Sequence, residues 1–502
     1  MTFLLKHKAG LQLAALLAPS FAVPCASAAP ANGASAPAAA EYSVVNLGPD
    51  AVITVLNQRG QVAFASGPSD ALVNGFFDGR RVHALGSLGG SYTVVRGLNS
   101  QGVVVGQSQD RLFDYRAFSW TVAGGMRALP GPSLADANAI NDNGQVVGAV
   151  RAEGQAFYTR AIRWDPDGTL TRLGPPPARL STAWAINANG VSVGDSEVAL
   201  YDSRAMVWDR AGKATDLGKF GGSQSTAKHI NAAGQVLGTY YKDGRGIGFL
   251  WSPAQGMVRI GPDWGDQYVS ALNDNGEVIG NNLIVDNDPA YRYRPFIWCM
   301  RQGMRPLPVA GAPDARVQAL NNRRQMVGYV EPRLDDALSR RAVFWNNAWN
   351  NGAGPVDLNT RLYRAPAGLV LYAATAINDN GSILADSSAG LVLLRPGREG
   401  TAAPVLGAIA GAGADGAVTL GATADLSVSF VDSAPAESHV ASASIDDGCP
   451  RAASSLREQR GVGDVSLRHT FCRAGAFTVK VKVIDRAGNA TQVQRTLSVT
   501  AP

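Results

Sequence analysis

The sequence predicts an all-β protein: an eight-bladed β-propeller of four-stranded repeats of about 44 residues, followed by a small β-sandwich. Three observations carry this expectation. An aliphatic-Asn motif recurs eight times between residues 42 and 396. A strand ending in an aromatic residue follows most copies. A stray copy of the repeat's last strand stands at the start of the region, where it would complete the final repeat and close the ring.

Length and composition agree. The 502 residues are too many for one ordinary domain of roughly 100–200, unless the fold is built from repeats. The 57 glycines are about 11% of the chain against a usual ~7%, and charged residues are 17% against ~25%. That composition suits a turn-rich globular protein. The formal charge is only +5, and no Lys/Arg run of nucleic-acid or membrane-patch type occurs. Nucleic acid is therefore not an expected partner.

The first 28 residues read as a signal peptide. Lys6 and Lys8 form a basic start, residues 11–23 an apolar stretch too short to span a bilayer, and Ala26-Ser27-Ala28 a cleavage pattern. The mature chain is expected to begin near Ala29. Ala22-Val23-Pro24 is a poor match to a lipid-attachment box before Cys25. Residues 29–41 read as an Ala/Pro linker. No later segment reaches 18 uninterrupted apolar residues, so no transmembrane segment is expected. The expected location is the periplasm or the extracellular space.

Export makes the other cysteines informative. Cys25 would leave with the signal. Cys449 and Cys472, in an oxidising compartment, are an expected disulfide that would contribute roughly 3 kcal/mol through loop closure. Cys299 is left unpaired and reads as a buried small hydrophobe.

The repeat occupies residues 42–396. Its Asn stands at Asn57, Asn99, Asn141, Asn187, Asn231, Asn273, Asn321 and Asn378. In one copy, Ala137-Asn138-Ala139-Ile140 alternates as a strand, and Asn141-Asp142-Asn143-Gly144 has turn chemistry. A Val-rich second strand follows. Arg160-Ala161-Ile162-Arg163-Trp164 is the third, and 170–173 the fourth. Trp120, Trp208, Trp251, Trp298 and Trp345 end the third strand elsewhere, with Phe77 and Leu394 as weaker equivalents. A Leu-Gly or Leu-Pro pair such as Leu173-Gly174 or Leu129-Pro130 closes most units. The seventh copy has Arg323-Arg324 where Gly is expected. The eighth lacks a fourth strand, and residues 42–48 (YSVVNLG) supply an unattached one. Pairing the two would remove two exposed sheet edges. An open solenoid is the alternative.

Leu85-Gly86-Ser87-Leu88-Gly89-Gly90-Ser91, Leu217-Gly218-Lys219-Phe220-Gly221-Gly222-Ser223 and Arg116-Ala117-Phe118-Ser119-Trp120 resemble the HAF-type extracellular repeat, with Arg in place of its His. Asp357-Leu358-Asn359 before Ile377-Asn378-Asp379-Asn380-Gly381 resembles that family's terminal unit. The resemblance implies an exported bacterial repeat protein and no particular chemistry.

Residues 397–417 read as a linker, and 418–502 as a sandwich with strands near 426–430, 441–445, 476–484 and 492–499. Asp446-Asp447-Gly448, His469-Thr470-Phe471 and Gly475-Ala476-Phe477-Thr478-Val479 resemble a PKD-like, Ig-like module. Such modules resemble spacers and adhesive domains of exported proteins.

Arg116, Arg160, Arg204, Arg294 and Arg341 share one place in the third strand. In a ring of units they form a partial ring that would hold an acidic polymer or a glycan carboxylate, unless each pairs within its own blade. The repeated Asn reads as a turn or inter-blade hydrogen-bonding residue. Asp142, Asp274 and Asp379 lack the order of a Ca²⁺ loop and read as turn residues. No metal-type Cys/His spacing, nucleophile elbow or cofactor motif appears. The expectation is a monomeric, exported, non-catalytic binding protein, with an envelope or extracellular glycan or a protein as partner. A carbohydrate-active enzyme with a propeller site is the alternative.

Overall fold

The computed structural model describes residues 42–501 except 50, 67–72, 153–157, 175–179, 262–265, 285–291, 335, 347–353, 364, 397–403, 413–415, 433–438, 450–452, 460–461 and 486–489. The expected signal peptide (1–28) and first linker (29–41) lie outside the described residues.

Eight four-stranded antiparallel sheets form a β-propeller. Blades 1 to 7 occupy residues 51–84, 89–128, 135–172, 181–216, 224–259, 267–306 and 314–357. Blade 3 shows the common plan: Ala135–Ile140, Val146–Arg151, Thr159–Trp164 and Leu170–Arg172, paired in sequence order. First strands of successive blades lie beside one another, which puts them innermost. Blade 8 is made of Leu371–Ile377, Ile383–Ser387 and Gly390–Pro396, with Tyr42–Gly48 as its fourth strand. Tyr42 faces Pro396 and Val45 faces Leu393 in that antiparallel pair. The N-terminal strand therefore closes a ring.

Blades are glued by apolar layers, since each sheet face needs a covered neighbour. Between blades 2 and 3, Val105 and Ala117 meet Val146, Ile162 and Trp164. At the closure, Leu47, Leu391 and Leu393 meet Val62, Phe64 and Phe77. The aromatic and closing motifs are linked in two blades. Trp164 Nε1 donates to the Pro130 carbonyl at 2.7 Å, and Trp345 Nε1 to that of Pro308 at 2.8 Å.

Two further sheets form the sandwich, with Val428, Phe430, Val465, Phe471, Val481 and Leu497 in its core. Val405–Leu406 and Ala410–Gly411 already pair with Thr423–Val431, so sandwich strands begin before residue 418, inside the stretch read as linker. Ala453–Gln459 and Val462–Thr470 are two strands that the sequence reading did not list. Cys449 and Cys472 form the expected disulfide. Cys299 is buried as expected, but it is disulfide-bonded, and no cysteine among the described residues is free. That corrects the reading of Cys299 as an unpaired thiol; its bonded partner lies outside the described residues. No helix among the described residues is long and apolar enough to cross a membrane.

Candidate functional site

The eight repeated Asn residues surround the axis and are buried. Each Nδ2 donates to the backbone carbonyl of the next blade's Asn, over 2.8–3.3 Å, around the complete ring. Each Oδ1 accepts backbone N–H groups from its own turn, as Asn141 does from Asn143 and Gln145. The turn needs a left-handed residue three places on, and Gly supplies it in seven blades, Gly144 at φ +78° for instance. Five of the eight also donate the second amide proton within their own turn, as Asn141 does to Gln145 Oε1 at 2.9 Å, so these buried amides act as ties between blades.

In six blades the residue after the Asn lines a polar recess of about 280 Å³ at the mouth of the channel: Gln58, Ala188, Ala232, Asp274, Asn322 and Asp379. The carboxylates at this repeat position are occupied by neighbouring blades. Asp142 accepts from Ser100 N and Oγ at 2.7 and 3.0 Å. Asp274 accepts from Ala232 N at 2.9 Å. Asp379 accepts from Asn322 N at 2.8 Å, and Asn322 Nδ2 bridges Asp274 and Asp379 at 2.9 and 3.0 Å. The turn reading of these acids therefore extends to a second, incomplete circuit of inter-blade contacts.

The five arginines sit elsewhere. The third strand starts where the second ends, at the end of the sheet opposite the Asn turn. It lies two strand spacings, about 10 Å, outside the first strand. Four of the five have local partners. Arg116 Nε meets Asp110 at 3.1 Å. Arg204 meets Asp202 at 2.7 Å and Asp216 at 2.8 Å. The hydrogen bonds from Arg204 and then Lys219 hold the Asp202 carboxyl down at about 2. Arg294 donates to the carbonyls of Tyr293 and Pro313. Arg341 donates to those of Leu338, Ser339 and Arg340.

Arg160 differs. Among the described residues its side chain has no partner, and it lines a cleft of about 870 Å³ with Arg151 and Arg172. Arg151 and Arg172 were not among the residues singled out from the sequence. A signal was available: the residue before the closing pair is Asp216 in Asp216-Leu217-Gly218, Asp357 in Asp357-Leu358-Asn359 and Arg172 in Arg172-Leu173-Gly174.

The sandwich holds a third polar cluster. His439 is buried, with Nε2 at 2.9 Å from Asp432 and Nδ1 at 2.9 Å from Glu458. His469 meets Asp447 at 2.6 Å, also buried. Burial works against the Asp447 carboxylate, but the His469 contact and the Cys449 N–H bring its pKa below the usual range. Asp447, Cys449 and His469 lie close enough to hold a metal ion, but the Cys449 sulfur is in a disulfide and is no thiolate ligand.

No family model matches the chain, and no curated protein matches it in sequence. Solved structures do resemble it. TolB from Acinetobacter baumannii aligns at 12% identity and TM-score 0.34, over 48% of this chain and 61% of that one, so the chain spans about three fifths of that TolB. A puromycin hydrolase aligns at 14% identity and TM-score 0.33, over 62% and 52%. Dipeptidyl peptidase 4 from Porphyromonas gingivalis aligns at 11% identity and TM-score 0.33, over 66% and 49%. These are distant likenesses that assign no activity, and the fold rests on the chain's own eight-sheet ring.

Proposed function

We propose that the protein is an exported binding protein, not an enzyme, which recognises an envelope or extracellular glycan or a protein through one face of the propeller. On this reading the propeller is of HAF type and the sandwich is PKD-like, both suited to export. The observation that carries the proposal is the state of the channel mouth. Asp142, Asp274 and Asp379 occupy a repeat position and accept hydrogen bonds from the blade behind. A glycosidase pair needs one carboxyl kept protonated and one free to attack or to activate water. Carboxylates engaged by backbone N–H groups of the neighbouring blade serve as scaffold.

The test is a glycan and cell-surface binding screen with the mature chain, run beside hydrolysis and lyase assays on the same glycans. Saturable binding without turnover supports the proposal. Turnover that disappears in Asp274→Asn or Asp379→Asn would replace it with the enzyme reading.

A further inference from the structure

Blade 3 carries three guanidinium groups in one cleft: Arg151 at the end of its second strand, Arg160 in its third and Arg172 in its fourth. Pro132, Ser133, Val150, Ile162 and Leu170 form the walls. No carboxylate is among the described lining residues. None of the three arginine side chains has a hydrogen-bond or ion-pair partner among the described residues, and Arg151 Nε is buried without one. Arg151 and Arg160 are half-buried, while Arg172 is exposed. Two partly desolvated guanidinium groups left unpaired beside a third are costly and need a reason.

The other blades show that this charge is not a property of the repeat. Strand register places Arg172 opposite Ile162. The same register position holds Asp216 opposite Met206 in blade 4 and Asp357 opposite Val343 in blade 7. In blade 4 that Asp neutralises the third-strand Arg204. In blade 7 the corresponding cleft shrinks to about 310 Å³ and contains Asp357 beside Arg341. Blade 3 has a base where blades 4 and 7 have an acid, as blade 5 does with Arg259 opposite Phe249, and its cleft is nearly three times the volume of that in blade 7.

We infer that the blade 3 cleft is a binding site for a carboxylate-bearing glycan, with Arg160 and Arg172 gripping sugar carboxylates and Arg151 supporting them from the inner wall. This deepens the proposed binding function and rests on its glycan branch. Guanidinium forks match carboxylates in bidentate geometry, which ammonium groups do not. The cleft's size suits a short stretch of saccharide, and the apolar walls from Pro132 and Leu170 suit the faces of sugar rings.

The test is calorimetric titration of the mature protein with oligogalacturonate, its methyl ester and poly-glutamate. Three variants are compared: Arg160→Gln, Arg172→Asp and, as control, Arg116→Gln. Arg172→Asp installs the residue that blades 4 and 7 already use, so the blade should still fold, and an unchanged melting temperature checks this. The expected result is salt-sensitive binding of oligogalacturonate only, weakened about tenfold or more by Arg160→Gln and further by Arg172→Asp, and unmoved by Arg116→Gln. Equal binding by a folded Arg172→Asp variant overturns the cleft while leaving the glycan reading standing. Equal binding of the methyl ester overturns carboxylate recognition alone. Preference for poly-glutamate makes the ligand an acidic peptide and overturns the glycan assignment. Binding of no glycan in this titration or in the screen overturns both.

Discussion

Asn378 Nδ2 donates to the backbone carbonyl of Asn57 at 3.0 Å, joining residues 321 positions apart. It is the same bond that Asn187 makes to Asn231, 44 positions on. The last blade thus meets the first through the contact used between ordinary neighbours. Closure is chemically seamless at the axis, although it is made by the most distant parts of the chain.

Asn378→Ala should therefore cost as much as Asn187→Ala. Each removes the inter-blade bond and two backbone N–H acceptor contacts, at Asn380 and Ser382 or at Asn189 and Val191. Buried groups left without partners put the loss at about 1–3 kcal/mol in either case. Denaturant midpoints of the two variants are the measurement. A clearly smaller loss at Asn378 means that the closing contact is not populated in solution.

The outer edge of the same blade makes a second, independent prediction. Removing residues 42–48 strips Tyr42 and Leu47 from buried positions and opens the edge of Gly390–Pro396. The shortened chain should melt at lower temperature and self-associate through that edge. Light scattering and thermal melting would show this, and an unchanged monomer with the parental melting point rejects closure by the N-terminal strand.

The ring was legible because its evidence is periodic. Asn-x-x-Gly turns, aromatic strand ends and a missing fourth strand all survive in one dimension. What the Asn does with its side chain was not legible, since the carbonyl that it meets lies 42 to 57 residues on. Strand Ala453–Gln459 was missed because its sequence, ASSLREQ, is mostly polar and lacks β-branched residues. The candidate site was half visible. Arg160 belongs to a repeated position, whereas the meaning of Arg172 depends on register against Asp216 and Asp357 in other blades.

Blade 7 breaks the turn rule and shows how the exception is compensated. Arg324 takes φ +65° where seven blades use Gly. Its Nε meets Glu277 Oε1 of blade 6 at 2.9 Å, and Glu277 is fully buried. Elsewhere a Gln in the position of Glu277 packs on the neighbour's Gly; a Cβ on Gly276 would stand 2.9 Å from Gln235 Oε1. Glu277 and Arg324 thus replace a Gln/Gly pair together. Arg324→Gly alone should cost about 3–5 kcal/mol by stranding a buried carboxylate. Glu277→Gln with Arg324→Gly should return to within about 1 kcal/mol of the parent, because left-handed strain goes with the ion pair. A double-mutant cycle by denaturant unfolding measures this, and simple additivity of the two losses sinks the argument.

The sandwich carries a pH dependence of definite sign. Burial alone would lower the His439 pKa, but hydrogen bonds to Asp432 and Glu458 outweigh it, and the net direction is upward. Both ring nitrogens face carboxylate oxygens, at 2.9 Å each, so only the doubly protonated ring can donate to both. A raised folded-state pKa means that the folded protein holds its proton more tightly than the unfolded chain. The stabilisation is then complete below the unfolded value of about 6.5 and is lost as pH rises through the folded value. Above that point one nitrogen becomes an acceptor facing a carboxylate oxygen, in a site packed against Phe430. The melting temperature of the sandwich transition should therefore fall as pH is raised from 6 through the neutral range. His439→Gln should flatten that dependence and start from a lower melting temperature at pH 6. A parental profile that rises over this window, or an identical fall in His439→Gln, would show that the proton on His439 is not what holds this end of the sandwich.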